Sequence, residues 1–63
     1  MKKHDFYYSV FSAPDGWRVQ FNEKYPDGSV ECRYVFIKRY LRRKAAVGAA
    51  LKISKTSNYK VLA

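Results

Sequence analysis

Four polar side chains at regular spacing carry the chemistry this chain offers: Arg18, Gln20 and Asn22 on one alternating run, and Arg33 on another. When strands enter a DNA major groove, arginine can hydrogen-bond guanine in bidentate fashion, and glutamine or asparagine can do the same with adenine. Tyr7 and Phe11 are expected on the same face, with rings suited to stacking on unpaired bases. Lys38, Arg39, Arg42, Arg43 and Lys44 follow the second run, and Lys2 and Lys3 open the chain. Cations placed beside a reading surface hold phosphates and fix its register. Catalytic chemistry is not expected. His4 is the only histidine and lies near a terminus, Cys32 is the only cysteine, and neither a metal-ligand spacing nor an activated nucleophile can be assembled from them. The reading is therefore a binding surface with no cofactor and no metal.

Charge placement sharpens it. Residues 1–31 carry four Lys or Arg against five Asp or Glu, a net of −1. Residues 32–63 carry nine Lys or Arg and no acidic residue, a net of +9. A half-chain of one sign makes a strong local potential. Its usual partners are a phosphate backbone, an anionic membrane or an acidic protein. No stretch is long and apolar enough to span a bilayer, so no membrane is expected. One cysteine and no secretory signal predict a reducing cytoplasm.

The elements that must position these residues are written most clearly in Trp17–Phe36. Trp17-Arg18-Val19-Gln20-Phe21-Asn22 alternates apolar and polar residues. Tyr25-Pro26-Asp27-Gly28 follows, and Val30-Glu31-Cys32-Arg33-Tyr34 alternates again. Two such runs around a Pro-Asp-Gly turn specify a β-hairpin. Pairing Lys24 with Ser29 would put Phe21 opposite Cys32, Val19 opposite Tyr34 and Trp17 opposite Phe36. Gln20–Arg33, Asn22–Glu31 and Arg18–Val35 would then share the other face. A one-residue slip would mix the faces, so this register is preferred.

Phe6–Ser12 reads as a preceding strand, and Ala13-Pro14-Asp15-Gly16 repeats the turn chemistry. The same loop pairs Ser12 with Trp17, Val10 with Val19 and Tyr8 with Phe21. An alanine-rich helix is expected over roughly Arg39 to Ile53, unless the strand runs on to about Lys38. Tyr40, Val47 and Leu51 form its apolar stripe, with Ala50 beside it. No N-cap residue precedes it, and three cations near its start oppose the helix dipole. Gly48 is expected to let the helix approach a large side chain such as Trp17.

Ser54–Asn58 reads as a polar turn and Asn58–Ala63 as a short final strand. That strand either lies parallel beside the first or pairs across a homodimer. The predicted fold is thus α+β: a three-stranded antiparallel meander packed on one helix, with a short fourth C-terminal strand (β-β-β-α-β). The helix would cover Trp17, Val19, Phe21, Cys32, Tyr34 and Phe36. At 63 residues this is one small domain, with residues 1–5 as an N-terminal arm.

The run Gly16-Trp17-Arg18, then Tyr25-Pro26-Asp27-Gly28, then a third strand and an alanine-rich helix, resembles the arm-type DNA-binding domain of phage and transposon tyrosine integrases. The resemblance covers roughly residues 6–52. It implies a three-stranded sheet in the major groove with a helix behind it, and places Arg18 and Arg33 on DNA-facing strands. The chain departs from that family in lacking a Gly-Phe-x-Thr entry to the helix, in an arginine-rich helix start and in its extra strand. The expected function is a small basic DNA-binding protein of phage or mobile-element origin. The alternatives are a phage-type modulator that docks on an acidic host protein, and an RNA or single-stranded DNA binder.

Overall fold

The computed structural model describes residues 5–62. Three strands come first: β1 (Asp5–Ala13), β2 (Gly16–Lys24) and β3 (Val30–Tyr40). Helix α1 (Arg43–Ser57) and a two-residue strand β4 (Lys60–Val61) follow. The sheet order is β3-β2-β1-β4, antiparallel throughout except that β4 runs parallel to β1. The architecture is a small α+β fold with a mixed four-stranded sheet. β4 pairs within its own chain, Tyr7 with Lys60 and Tyr8 with Val61, and the Leu62 amide donates to the Tyr8 carbonyl at 2.8 Å. Of the arm expected at residues 1–5, Asp5 instead belongs to β1, where it pairs with Lys24. Residues 1–4, and with them Lys2, Lys3 and His4, lie outside the described residues.

The first hairpin has the expected register, with Tyr8 opposite Phe21, Val10 opposite Val19 and Ser12 opposite Trp17. Its turn is tight because Gly16 has φ +142, and a Cβ there would meet the Tyr40 carbonyl oxygen at 2.5 Å. Only glycine tolerates both the conformation and the approach.

The second hairpin differs from expectation. Asp27 accepts hydrogen bonds from the Ser29 amide at 2.9 Å and the Ser29 hydroxyl at 2.7 Å. This draws Ser29 into the turn, so Lys24 pairs with Val30 and not with Ser29. The slip puts Cys32 opposite Asn22 on the helix-free face, where it is exposed; the expected core position of Cys32 is thereby corrected. A bulge at Arg33 then restores the facing. Phe21 pairs with Tyr34, and a second irregularity beyond Gln20 brings Trp17 opposite Tyr40. Bulges of this kind re-aim side chains without ending the ladder.

Strand β3 runs to Tyr40, so the helix starts later than the expected Arg39, and it ends later than Ile53. Residues 54–57, read as a turn, are its last residues. Asn58 closes it in the left-handed conformation, its amide donating to the Ser54 carbonyl at 2.9 Å. Arg42 occupies the N-cap position with no side-chain cap.

The buried helix stripe is Ala46 and the expected Ala50, flanked by Ala49 and Ile53; Tyr40 packs against the core from β3 and not from the helix, and Leu51 is 49% exposed. The sheet supplies the bulk here, through Tyr8, Val19, Phe21 and Trp17, so the helix presents its smallest side chains to come close. Gly48 lies on the solvent side, where an added methyl would find nothing within 4 Å, and Trp17 is not its neighbour.

Tyr8 anchors the core. It is 5% exposed, packs its ring against Phe21 and Phe36, and donates its hydroxyl to Ser57 Oγ at 2.9 Å. Tyr59, expected within the final strand, lies just before β4 and completes an aromatic cluster with Phe6, Phe21 and Tyr8. The expected cover over Tyr34 is absent: α1 lies over the inner strands, and Tyr34 on edge strand β3 is 52% exposed.

Candidate nucleic-acid interface

Strand pairing places Tyr7, Ser9 and Phe11 beside Asn22, Gln20 and Arg18 on the sheet face away from the helix. Cys32, Val35 and Arg39 continue these rows onto β3. Five of the residues expected on this face, Tyr7, Phe11, Arg18, Gln20 and Asn22, do share it, but Gln20 and Asn22 are engaged with each other and with Ser9 and Cys32. Gln20 Nε2 donates to Asn22 Oδ1 at 2.9 Å, and Asn22 Nδ2 donates to Ser9 Oγ at 2.8 Å. The Cys32 thiol donates to Gln20 Oε1 at 3.7 Å. Asn22 is 1% exposed, so this chain of hydrogen bonds pins the ladder and leaves the amide turned away from any incoming base.

Arg33 departs furthest from expectation. The bulge removes it from the row of Arg18, Gln20 and Asn22. Glu23 and Glu31 face each other across β2 and β3, an unfavourable like-charge pairing. Arg33 lies 3.5 Å from Glu23 and 3.4 Å from Glu31 and offsets it. Tyr25 donates its hydroxyl to Glu31, which holds the Glu31 carboxyl below its ordinary range and raises the Tyr25 phenol above its own.

Arg18 and Arg39 are opposed in the ladder and both reach Asp15 Oδ2, at 3.3 and 3.2 Å. Arg18 also donates to the Ile37 carbonyl at 3.5 Å. Desolvation, the largest single influence, works to raise the Asp15 pKa, but the hydrogen bonds from Arg18 and Arg39, with a backbone bond and the Arg18 charge, together outweigh it and hold the carboxyl below its usual value.

Register also sorts the charges by position along the sheet. The Pro14–Asp15 turn, the end of β3 and the start of α1 lie at one end, because Trp17 pairs with Tyr40 and α1 begins three residues later. That end holds Arg18, Lys38, Arg39, Arg42, Arg43 and Lys44 against Asp15 alone. The opposite end holds Lys24, Arg33, Lys55 and Lys60 against Asp5, Glu23, Asp27 and Glu31, with Lys60 bridged to Asp5 at 3.0 Å. Arg42, Arg43 and Lys44 form no ion pair among the described residues. Among the described residues, one end is thus strongly cationic, and the other carries as many acidic as basic side chains.

Lys52 was not among the expected residues. It stands seven residues after Ala45, on the same flank of α1, and with Lys38 and Tyr40 it lines a cleft between helix and β3. The spacing Ala45, Ala49, Lys52 was legible in the sequence, but the length of β3 that brings Lys38 and Tyr40 opposite was not. No helix among the described residues is long and apolar enough to cross a membrane. Comparison with protein-family models, with curated proteins and with solved structures finds no match to this chain.

Proposed function

We propose that the protein binds duplex DNA through its cationic end, by contacts to the phosphate backbone more than to base edges. The observation that carries this reading is the gathering of Arg18, Lys38, Arg39, Arg42, Arg43 and Lys44 at one end with a single carboxylate among them. A cluster of this kind neutralises phosphates and releases their counterions, so its affinity falls steeply with salt. The uncapped start of α1 adds its dipole to the same potential. Base reading by the helix-free face, as the integrase-arm resemblance implies, would rest on Arg18 and Arg39 with Tyr7 and Phe11, since Gln20 and Asn22 are committed to each other and to Ser9. A phage or mobile-element origin accords with that resemblance.

A second reading is favoured by one observation. Ile37 and Leu41 are 83% and 87% exposed beside the same cations. Apolar side chains contribute little to a phosphate contact but are suited to the core of a protein interface. An acidic protein partner would use both features.

Titration of a short random duplex by fluorescence anisotropy, at salt on the order of 50 and 200 mM, separates the two. The DNA reading predicts saturable binding with a steep salt slope, reduced by about two in the double variant Arg42→Ala, Arg43→Ala. Weak, non-saturating binding in both salts, unchanged in the double variant, would reject it in favour of the protein partner.

A further inference from the structure

The cleft between the end of β3 and the flank of α1 has a volume of 420 Å³ and is lined by Lys38, Tyr40, Ala45, Ala49, Lys52 and Ile53. That lies within the size range of ligand-binding clefts. It exists because α1 packs Ala46 and Ala50 over Tyr8 and Val19 and so leaves the helix-facing side of β3 partly open. Phe36 and Tyr34 precede Lys38 and Tyr40 at alternate positions of β3. Tyr34 is half exposed and stands edge-on to Phe36, with ring centroids 4.9 Å apart. Lys38 holds its ammonium 5.4 Å from the Tyr40 ring centroid. The cleft is therefore lined by the Tyr40 ring and apolar side chains, with two ammonium groups and no carboxylate among its lining residues.

We propose that this cleft takes a nucleotide of an unpaired nucleic-acid strand. The base lies against Tyr40, Ala49 and Ile53, Lys38 and Lys52 hold the phosphates, and Phe36 and Tyr34 continue the platform along β3. The inference rests on the polyanion reading above and names a second form of the same ligand. An aromatic floor with cations tracking the backbone is the arrangement that binds single strands, because every base has a π-face. Bases paired within a duplex have their faces covered by their neighbours and cannot enter. An acidic peptide would satisfy the lysines but leave the rings unused.

The test compares a short oligothymidine, the same oligomer with abasic sites in place of its bases, and a duplex of equal length. The wild-type protein should bind oligothymidine about tenfold more tightly than the abasic oligomer of equal charge. Ala45→Leu fills the cleft from an exposed position and keeps every cation. It should remove that tenfold preference and leave duplex affinity unchanged. Equal affinity of the wild type for oligothymidine and its abasic form overturns the proposal, as does retention of the preference in Ala45→Leu. Displacement of both oligomers alike by polyglutamate would also overturn it, since charge alone would then account for binding. If the duplex binds and the base preference is absent, only the cleft assignment fails; if nothing binds, the polyanion reading fails first.

Discussion

Arg18 and Arg39 face each other across the β2–β3 ladder and converge on one oxygen of Asp15, at 3.3 and 3.2 Å. Two like charges at opposed positions repel, and the turn that starts β2 supplies the single carboxylate that allows the pairing. The same carboxylate lowers the charge of the cationic end. Asp15→Asn should therefore tighten duplex binding and steepen its dependence on salt by roughly 0.9 in the logarithmic slope. It should also lower the melting temperature, because the arginines lose their shared partner. Anisotropy titration and thermal unfolding of the same variant read both effects, and unaltered duplex affinity would place the arginines outside the contact.

Acid should unfold the protein only below the range in which free carboxylates titrate. Asp15, Asp27 and Glu31 are all held below their ordinary values. Their hydrogen-bond donors are Arg18 and Arg39 for Asp15, Ser29 for Asp27 and Tyr25 for Glu31. A carboxyl with a depressed folded-state pKa adds stability that is present above its unfolded value and is lost as pH falls through the folded one. The Tyr25–Glu31 bond acts at both limits. Its raised phenol adds stability that is full below the ordinary tyrosine value and is lost as pH rises through the higher folded one. Urea unfolding across pH should show both limbs, and Glu31→Gln should flatten the acid limb and remove the alkaline one.

The two turn glycines should respond unequally. An alanine at Gly16 needs a left-handed φ and drives its methyl into the Tyr40 carbonyl, so Gly16→Ala should cost more than about 2 kcal/mol. Gly28 also has a positive φ, but nothing lies within 4 Å, and Gly28→Ala should cost only about 1 kcal/mol. Chemical denaturation of the pair measures the difference. Equal losses would mean that the β3 end does not press on the first turn.

Asn22 separates a structural role from a reading role. Its amide bridges Gln20 and Ser9 and is buried, so Asn22→Ala should lower stability by about 2 kcal/mol through unpaired partners. Duplex affinity, measured where the variant is folded, should not change. A variant of wild-type stability with altered sequence preference would return Asn22 to the base-reading surface.

Local chemistry explains how much of this was legible in the chain. The strands and first hairpin followed from alternation and from Pro-Asp-Gly turns, whose rules act over a few residues. The second register did not, because the Asp27 side chain captures Ser29 and adds one residue to the loop. The compensating bulge at Arg33 answers a distant demand, that Phe21 meet Tyr34. The helix boundaries shifted because β3 is stabilised as far as Tyr40 by pairing with Trp17, against the helix preference of Arg39 to Arg43. The alanine stripe was hidden for a similar reason: which helix face is buried depended on how bulky the opposing sheet was. At the candidate site, the excess of cations was visible by counting. Their segregation to one end, and the capture of Arg33 by Glu23 and Glu31, required the pairing.

We propose that a cationic end grips a phosphate backbone. The most direct measurement is the salt dependence of random-duplex affinity for the wild type and for Arg42→Ala, Arg43→Ala, with folding checked by circular dichroism. The expected logarithmic slope is about −4 for the wild type, shallower by about two in the variant. A slope near zero, or one identical in the two proteins, contradicts the claim.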